Sequence, residues 1–344
     1  MKLVVDKTIP FVENLFEPYA EVVYLEGKDI SSEDVRDADA LLIRTRTKCN
    51  ADLLEGSSVR MISTASIGSD HIDHAYCDEH GIHYASASGC NATGVMNYVF
   101  SALYGIAARK SIDLEGKTLG IVGVGNTGSR VASMARHIGL KVLLCDPPRA
   151  LAEGPDAFVP LDILLAQSDI VTLHVPLSEV TRRMASDDFF ATMRPGAIFI
   201  NTARGEVVDE AALIRAIPRL GPVIIDTWNN EPYVNQDLVD LVDIATPHIA
   251  GYSYQGKQNG TALAVRAIAR FFGIEPLYEF FPETPLAELE AIKLNLRGKS
   301  QGEIASVLSY NYPIFSDDFM FRMNPSGFEN LRRYYSYRRE FYVE

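Results

Sequence analysis

Three short polar stretches place an arginine, a glutamate and a histidine where predicted strands end. Arg204 lies in INTARG, Glu231 in IDTWNNEP and His248 in TPHIAGY. Histidine is suited to accept a proton near neutral pH, a carboxylate beside it fixes its tautomer and stabilises the imidazolium, and arginine holds a carboxylate through two parallel hydrogen bonds. The set predicts the removal of a hydride and a proton from a hydroxyl-bearing carbon next to a carboxylate, a reaction that needs a nicotinamide nearby.

A glycine-rich loop predicts where such a cofactor binds. The apolar strand LGIV runs directly into Gly-X-Gly-X-X-Gly and then into a helix, so the glycines permit a tight turn, a close approach of backbone to a pyrophosphate and close packing of the helix. Asp146 ends the next strand, where it can accept hydrogen bonds from ribose hydroxyls and repel a 2′-phosphate. This favours NAD over NADP, although Arg149 nearby weakens the preference. The residues expected at the cofactor from this pattern are Gly123, Gly125, Asn126, Thr127, Gly128 and Asp146.

Each of these residues also has a purely structural interpretation. The glycines can serve a turn alone, His248 follows a proline and can be a hydrogen-bonded core residue, and Arg204 can cap or lie on the surface. Glu231 can likewise be structural, and His174 in HVPL is more typical of a structural residue than of a catalytic one. Four further histidines flank an early predicted helix and are expected to be solvated or to cap it: His71, His74, His80 and His83.

A basic stretch in the first part of the chain predicts a phosphate on the substrate. LLIRTRTK leaves a predicted strand, so Arg44 and Arg46 lie at its carboxyl end, where open α/β sheets bind ligands. We expect this segment to be extended, which places both side chains on one face, and we expect residues 66–70, SIGSD, to open a helix whose N–H groups face the carboxylate. Two anionic ends need two cationic sites, and Arg204 serves only one. The alternative is that both arginines are solvated strand-end residues.

The elements that position these residues alternate along most of the chain, which is typical of parallel sheets covered by helices. Strands are predicted at 2–5, 22–25, 40–43 and 60–64, and in a second series at 118–122, 141–145, 170–174, 197–201, 223–226 and 244–246. Helices are predicted at 11–17, 70–79, 92–108, 127–138 and 258–272. The fold class is therefore α/β, with two doubly wound parallel-sheet (Rossmann or flavodoxin-like) domains and a small C-terminal α+β module. The expected domains are a substrate domain (1–95 with 255–283), an NAD-binding domain (96–254) and a dimerisation domain (284–344).

The C-terminal segment differs in composition from the rest. It begins near Glu275 with several prolines and ends in YPIFSDDFMF and LRRYYSYRREFYVE. Large exposed apolar patches normally mark an interface, and so short a segment is not expected to bury its aromatic rings alone, so we predict a homodimer through residues 284–344. The aromatic side chains expected there are Phe315, Phe319, Phe321, Phe328, Tyr334, Tyr335, Tyr337, Phe341 and Tyr342.

Charge and cysteine usage narrow the possible partners. The formal net charge of −13 argues against nucleic acid or an anionic membrane as a partner. The four cysteines are scattered, without a C-x-x-C pair or a histidine at metal-ligand spacing, which indicates reduced thiols and predicts no metal site. The apolar runs are too short to span a bilayer and MKLVVDKTIPF lacks a signal-peptide pattern, so we expect a cytoplasmic protein.

Taken together, these residues resemble the D-isomer-specific 2-hydroxyacid dehydrogenases over roughly residues 1–280. The glycine loop and the trio of Arg204, Glu231 and His248 match features shared across that family. One branch, which carries a C-terminal dimerisation domain, is resembled more closely in SGCNA, GVGNTGS, CDPPR, HIAGY with Gly256 and Lys257, and the tail LRRYYSYRREF. The resemblance implies the NAD-dependent oxidation of 4-phospho-D-erythronate to (R)-3-hydroxy-2-oxo-4-phosphooxybutanoate, a step in making pyridoxal 5′-phosphate (vitamin B6).

The resemblance also implies roles for individual residues. It assigns substrate contacts to Thr45, Ser66 and Tyr252, in addition to Arg44 and Arg46. It assigns further NAD contacts to Thr202, Ala203, Arg204, Asp226 and Gly251. The sequence departs from the family at Lys7 and Thr8, where Glu and Asn are expected, and at Val175, where a hydroxyl is more usual and one cofactor hydrogen bond can be lost.

Two other functions are compatible with the same residues. One is a related activity, such as that of a phosphoglycerate or D-lactate dehydrogenase, although the aromatic tail and the arginines at 44 and 46 argue against lactate, which has no distal phosphate. The other is a non-catalytic NAD-sensing corepressor on the same scaffold, because fold alone does not determine function. The sequence shows neither the peptide-binding groove nor the extended tails that would distinguish such a protein.

Overall fold

Alternating apolar and polar segments form two parallel sheets in the computed structural model, which describes residues 1–283 and 290–343. The chain divides into two units. Unit 1 comprises Met1–Asn91 and Ser253–Glu290, and unit 2 comprises Ala92–Tyr252 and Ala291–Glu344. The expected boundary at residue 284 lies outside the described residues, and a separate domain for residues 284–344 stays a prediction.

The secondary structure of the described residues follows the α/β alternation. The strands are β1 (Lys2–Asp6), β2 (Glu21–Leu25), β3 (Ala40–Ile43), β4 (Met61–Thr64), β5 (His83–Ser86), β6 (Thr118–Val122), β7 (Lys141–Cys145), β8 (Ile170–Leu173), β9 (Ile198–Asn201), β10 (Val223–Ile225), β11 (Ile244–Ala245), β12 (Ile292–Leu294) and β13 (Phe341–Val343). The helices are α1 (Ser32–Val35), α2 (Ala51–Leu54), α3 (His74–Glu79), α4 (Ala92–Lys110), α5 (Asn126–His137), α6 (Pro147–Glu153), α7 (Leu161–Gln167), α8 (Asp187–Thr192), α9 (Glu210–Ala216), α10 (Gln236–Leu241), α11 (Tyr254–Phe272), α12 (Gln301–Asn311), α13 (Ile314–Met323) and α14 (Phe328–Arg333). None of these helices is long and apolar enough to cross a membrane.

Unit 1 is built on a five-stranded parallel sheet in the order β2-β1-β3-β4-β5. Strand β3 is apolar and buried along its whole length, and the middle of β1 (Leu3–Val5) is likewise apolar and buried, because helices cover both faces of the sheet. The helix α11 returns from much later in the chain, and the Ser63 hydroxyl donates to the Ala264 carbonyl at 3.0 Å. Its apolar side chains pack with those of β1 and β3, so the predicted return of this helix to the first sheet is confirmed.

Unit 2 contains a six-stranded parallel sheet in the order β11-β10-β9-β8-β6-β7. Successive side chains of a strand point to opposite faces. Ile200 and Ile224 therefore pack with α4 and α5 on one face, whereas Phe199 and Ile225 pack with α7–α9 on the other. Because the strands are parallel, the loops after β9, β10 and β11 leave the same edge of the sheet.

The C-terminal residues fold as part of unit 2 and have the predicted α+β composition. Strands β12 and β13 pair in parallel. The Asn97 side chain on α4 donates to the Phe341 carbonyl at 2.7 Å and accepts from its N–H at 2.9 Å, and the Asp318 carboxylate accepts from the Ala245 N–H at 2.7 Å. Phe321, Phe328 and Phe341 are fully buried within this unit. The expectation that these three rings need a second subunit for burial is therefore wrong.

Two predicted helices in unit 1 differ from the structure. Residues 11–17 form turns instead of a helix, because Phe11 and Asn14 adopt left-handed backbone with φ of 63° and 60°. The helix predicted at 70–79 begins only at His74, where the Asp73 side chain accepts from the Tyr76 N–H at 3.0 Å and acts as the N-cap. Residues 66–70 therefore do not open a helix.

Candidate active site

The loops that follow β9, β10 and β11 carry Arg204, Glu231 and His248, as the sequence predicts. Hydrogen bonds between the loops hold them in register. The Asp226 N–H donates to the Asn201 carbonyl at 3.0 Å, and the His248 N–H donates to the Asp226 carbonyl at 2.7 Å. The three side chains thus project from neighbouring loops at the carboxyl edge of the sheet, where open α/β folds bind ligands.

Glu231 and His248 form a hydrogen-bonded pair. Glu231 Oε2 lies 2.7 Å from His248 Nδ1, and Oε1 accepts from the Trp228 N–H at 2.9 Å. Burial raises the pKa of the Glu231 carboxyl, but the charge and hydrogen bond of His248, the Trp228 N–H and the charge of Arg332 outweigh it, and the net pKa is lowered. An ionised carboxylate can only accept, so Nδ1 carries a proton. In the neutral imidazole, Nε2 is then the nitrogen that can take a proton from a substrate.

Asp226 shapes the backbone that presents His248. Its buried carboxylate accepts from the Ile249 and Ala250 N–H groups at 2.8 and 2.9 Å and from the Thr246 hydroxyl at 2.7 Å. Burial raises the pKa of Asp226. The charge of His248 and these hydrogen bonds reduce the rise in pKa but do not cancel it. His248 has a φ of 56°, which residues other than glycine rarely adopt, so the loop must be held by such contacts. The NAD contact assigned to Asp226 stays a prediction.

The Arg204 loop is fixed against the Glu231 loop. The Asn201 side chain accepts from the Ala203 N–H at 3.0 Å and donates to the Arg204 carbonyl at 3.1 Å. A side chain at Gly205 would collide with the Trp228 backbone, so only glycine permits this approach. Among the described residues, the buried Thr202 hydroxyl has no hydrogen-bond partner. An orphaned hydroxyl next to the Arg204 loop fits a polar group of a bound cofactor.

The glycine loop forms a cradle of the kind that a dinucleotide requires. Gly123 has a φ of 85°, and a side chain there would collide with the His174 backbone and Val175. The Cβ position of Gly125 faces open space, and α5 begins at the next residue. A cavity of about 540 Å³ adjoins this turn and is lined by Val124, Gly125, Asn126, Ser129, Arg130 and Arg149. The cavity and the helix N-terminus fit a pyrophosphate.

Asp146 lies where the next strand ends and also supports the glycine loop. Its carboxylate accepts from the Val124 N–H at 2.7 Å and from the Arg149 N–H at 3.1 Å, which caps α6. The Arg149 guanidinium donates twice to Glu153, at 2.6 and 2.7 Å, and once to the Val124 carbonyl at 2.6 Å. This pairing occupies the guanidinium that would otherwise attract a 2′-phosphate, which supports the predicted preference for NAD over NADP.

The Asp146→Asn variant should narrow the ratio of NADP to NAD dissociation constants by at least about 10-fold, equivalent to about 1.4 kcal/mol. The reason is that the variant loses a charged acceptor for ribose hydroxyls and the repulsion of a 2′-phosphate. Both constants are measured by titration calorimetry, with Asp156→Asn, an exposed aspartate, as the matched control. A wild-type protein that binds NADP as tightly as NAD would refute the role of Asp146.

In unit 1, Arg44 and its neighbours lie at the carboxyl edge of the sheet but not in extended backbone. Residues 44–47 form a turn closed by a hydrogen bond from the Thr47 N–H to the Arg44 carbonyl at 3.2 Å. The expected alternation of Arg44 and Arg46 along a strand is therefore wrong. Arg44 is half-buried, with Nη1 at 3.4 Å from the Thr8 carbonyl, whereas Thr45 and Arg46 are exposed. The Thr8 hydroxyl lies 3.5 Å from the same Nη1, so the carbonyl and the side chain of Thr8 both contact Arg44.

Ser66 belongs to a short hydroxyl network that the sequence did not predict. Its hydroxyl lies 2.6 Å from the Thr64 hydroxyl and donates to the Gly68 carbonyl at 3.1 Å. His71 Nε2 lies 3.2 Å from the Thr64 hydroxyl, and burial lowers the pKa of His71 to about 4. His71 is therefore a neutral, partly buried partner of this network and not a solvated residue.

Sequence reasoning missed several residues that surround the catalytic loop. Trp228 Nε1 donates to the Thr246 carbonyl at 2.9 Å, and the buried Tyr98 hydroxyl lies 2.6 Å from the Thr246 hydroxyl. Arg332, from α14, lies over the ring of Tyr252. These contacts join residues that are far apart in the sequence, so no local sequence pattern predicts them.

Comparison with known proteins supports the fold class and the cofactor. The family profile described as D-isomer specific 2-hydroxyacid dehydrogenase, NAD binding domain, matches residues 102–250. The chain is 43% identical to an erythronate-4-phosphate dehydrogenase of Bacteroides fragilis, covering 99% of this chain and 97% of that protein, and 39% identical to one of Yersinia pestis, covering 99% and 93%. Among solved structures, NAD+-bound 3-phosphoglycerate dehydrogenase of Entamoeba histolytica aligns with a TM-score of 0.67 and 28% identity, over 83% of this chain and 99% of that one. The predicted fold class and cofactor are thereby confirmed.

Proposed function

Since the chain belongs to the erythronate-4-phosphate dehydrogenases, within the D-isomer-specific 2-hydroxyacid dehydrogenases, we propose that it oxidises 4-phospho-D-erythronate to (R)-3-hydroxy-2-oxo-4-phosphooxybutanoate. Its cofactor is NAD. The reaction is a step in the biosynthesis of pyridoxal 5′-phosphate. The observation that carries the proposal is the 2.7 Å hydrogen bond between Glu231 and His248, in a loop next to that of Arg204.

The catalytic side chains have different tasks in the reaction. Bound NAD supplies the acceptor for the hydride that leaves C2 of the hydroxy acid. His248 Nε2 takes the proton of the C2 hydroxyl as the carbonyl forms, and Glu231 keeps Nδ1 protonated and stabilises the imidazolium. Arg204 holds the adjacent carboxylate through its guanidinium. The residues that bind NAD are those of the glycine loop, Asp146, Thr202, Ala203, Arg204, Asp226 and Gly251.

The purified protein incubated with NAD and a panel of 2-hydroxy acids tests the proposal. The panel contains 4-phospho-D-erythronate, 3-phospho-D-glycerate, erythronate and D-lactate, and the readout is the absorbance of NADH. We expect NADH with the phosphorylated acids and most rapidly with 4-phospho-D-erythronate. An NAD-binding protein that forms no NADH with any of them would instead favour a corepressor-like role.

Arg44 is proposed to bind the distal phosphate of the substrate. Further substrate contacts are proposed for Arg46, Thr45, Ser66 and Tyr252. A charge-assisted hydrogen bond contributes roughly 1.5–3 kcal/mol. Arg44→Ala should therefore lower kcat/KM for 4-phospho-D-erythronate about 10- to 100-fold and leave that for erythronate nearly unchanged. Lys48→Ala, which removes an exposed cation next to the same turn, is the control. Equal losses on both substrates would mean that Arg44 is structural.

A homodimer through the C-terminal segment is also proposed. Phe319, Met320 and Met323 on α13 are 60%, 56% and 68% exposed, an apolar surface of the kind that subunit contacts cover. Truncation at residue 284 would open the core of unit 2, so a point substitution is the cleaner test. Phe319→Glu should raise the dimer dissociation constant at least about 10-fold by light scattering. Leu151→Glu, at a 91% exposed leucine, should not. An unchanged dimer, or a monomeric wild type, would refute this interface.

A further inference from the structure

The C-terminal segment packs against Tyr252, which lies at the end of the loop of the catalytic histidine. Within unit 2, the Arg332 guanidinium lies 5.7 Å from the centroid of the Tyr252 ring. The rings of Tyr335 and Tyr337 lie 6.0 and 6.2 Å from the same ring. Tyr252 ends the short loop that His248 begins, so Arg332 contacts the loop that carries the acid/base group.

The positive charge of Arg332 also interacts with the carboxylate of Glu231. Burial lowers the pKa of the Arg332 guanidinium, but the neighbouring Tyr252, Glu231 and Glu329 outweigh that effect and the pKa is raised, so the group stays charged. Both oxygens of Glu231 already have donors, from His248 and from the Trp228 N–H. Arg332 therefore acts on the Glu231 carboxylate through its charge, whereas the hydrogen bonds described for that carboxylate come from His248 and Trp228.

One donor of Arg332 is left without an acceptor. Its Nε–H is buried and makes no hydrogen bond with any described residue, and its ion pair with Glu329 is long, at 3.9 Å. Two other arginines of the segment differ from it. The Arg322 guanidinium donates to Asp318 and to two backbone carbonyls, and that of Arg338 donates to both oxygens of the partly buried Asp317 and to a tyrosine hydroxyl. Arg322 and Arg338 are therefore structural, whereas Arg332, although its side chain also hydrogen-bonds Tyr252, keeps its Nε donor for a ligand.

We propose that Arg332 binds an oxyanion of the substrate, its carboxylate or its phosphate, beside the His248–Glu231 pair, so that the C-terminal segment forms part of the substrate site. The edge of a guanidinium that carries Nε matches two oxygens of a carboxylate or phosphate. Such a ligand satisfies the unpartnered donor and brings the hydroxy acid next to the acid/base histidine. This inference rests on the proposed function and adds a binding residue to the same site.

The test compares Arg332→Gln, Arg332→Lys and the matched control Arg333→Gln, which alters the exposed neighbouring arginine. Steady-state kinetics are measured at saturating NAD with 4-phospho-D-erythronate, and with erythronate as a substrate or a competitive inhibitor. Arg332→Gln should raise KM about 10- to 100-fold, because it removes a charge-assisted contact. Arg332→Lys should recover part of the loss, and Arg333→Gln should resemble the wild type.

The two acids identify which oxyanion is bound. If Arg332→Gln weakens the binding of 4-phospho-D-erythronate alone, Arg332 binds the phosphate. If it weakens the binding of both acids, Arg332 binds the carboxylate. An unchanged KM with both acids would overturn the proposal, as would an equal rise in KM in Arg333→Gln. It would also be overturned if unfolding of Arg332→Lys, seen as a lower melting temperature, explained the whole loss of activity in that variant. If the wild type does not oxidise 4-phospho-D-erythronate, the proposed function fails, and the variants are then compared on whichever hydroxy acid the panel identifies.

Discussion

Replacing His248 by asparagine should lower kcat about 10²- to 10⁴-fold, the usual contribution of a positioned general base. Asparagine is the appropriate substitution because it tolerates the left-handed backbone that His248 adopts, with a φ of 56°. The loop and its hydrogen bonds to Asp226 should then persist, so the variant tests the imidazole alone. The measurement is the rate of NADH formation at saturating 4-phospho-D-erythronate.

Two controls separate chemistry from folding in this experiment. The dissociation constant for NAD should be unchanged in His248→Asn, since the ring is assigned to the proton and not to the cofactor. His80→Asn, at an exposed histidine in unit 1, should retain full activity. A variant at position 248 that keeps more than about a tenth of the wild-type kcat would rule out His248 as the general base.

The Glu231→Gln variant should both slow the reaction and shift its pH dependence. Glutamine has nearly the same size and can still accept from the Trp228 N–H, but it carries no charge. In the wild type the pKa of Glu231 is lowered overall, so the carboxylate is ionised at neutral pH and stabilises the imidazolium form of His248. The variant removes the negative charge that faces the His248 ring, so the rising limb of the rate profile should move to lower pH.

The rate of Glu231→Gln should fall about 10- to 100-fold, because the His248 ring is oriented less firmly and the imidazolium formed in the reaction has no negative charge beside it. The profile of kcat/KM against pH is the measurement, with Glu115→Gln at an exposed glutamate as the control. A rising limb at the wild-type pH would mean that Glu231 does not interact with the charge on His248 during the reaction.

The local patterns of the sequence predicted the parts of the fold that depend on apolar periodicity. Strands such as β3 and β9 are buried along their length and could be read from unbroken apolar runs. The edge strand β5, HYAS, is polar and partly exposed, so it offered no such signal. Residues 11–17 had the composition of a helix, but the left-handed backbone at Phe11 and Asn14 depends on packing that no local rule contains.

The same distinction applies to the site. Arg204, Glu231 and His248 could be predicted because each follows a recognisable strand, and parallel strands end at one edge. Arg332 could not, because its approach to Tyr252 joins residues eighty positions apart in sequence. The buried state of Phe321 also arises from a distant contact, with the Trp228 ring at 5.8 Å, and composition alone suggested a subunit interface instead.

The specificity of the wild-type protein tests the central claim most directly. The measurement is kcat/KM for 4-phospho-D-erythronate, 3-phospho-D-glycerate and unphosphorylated erythronate, with NAD, from the absorbance of NADH. The kcat/KM for 4-phospho-D-erythronate should exceed that for erythronate by about 10- to 100-fold, because one well-placed cation binds the phosphate. It should also exceed the kcat/KM for 3-phospho-D-glycerate. A preference for erythronate or for 3-phospho-D-glycerate would contradict the proposed function.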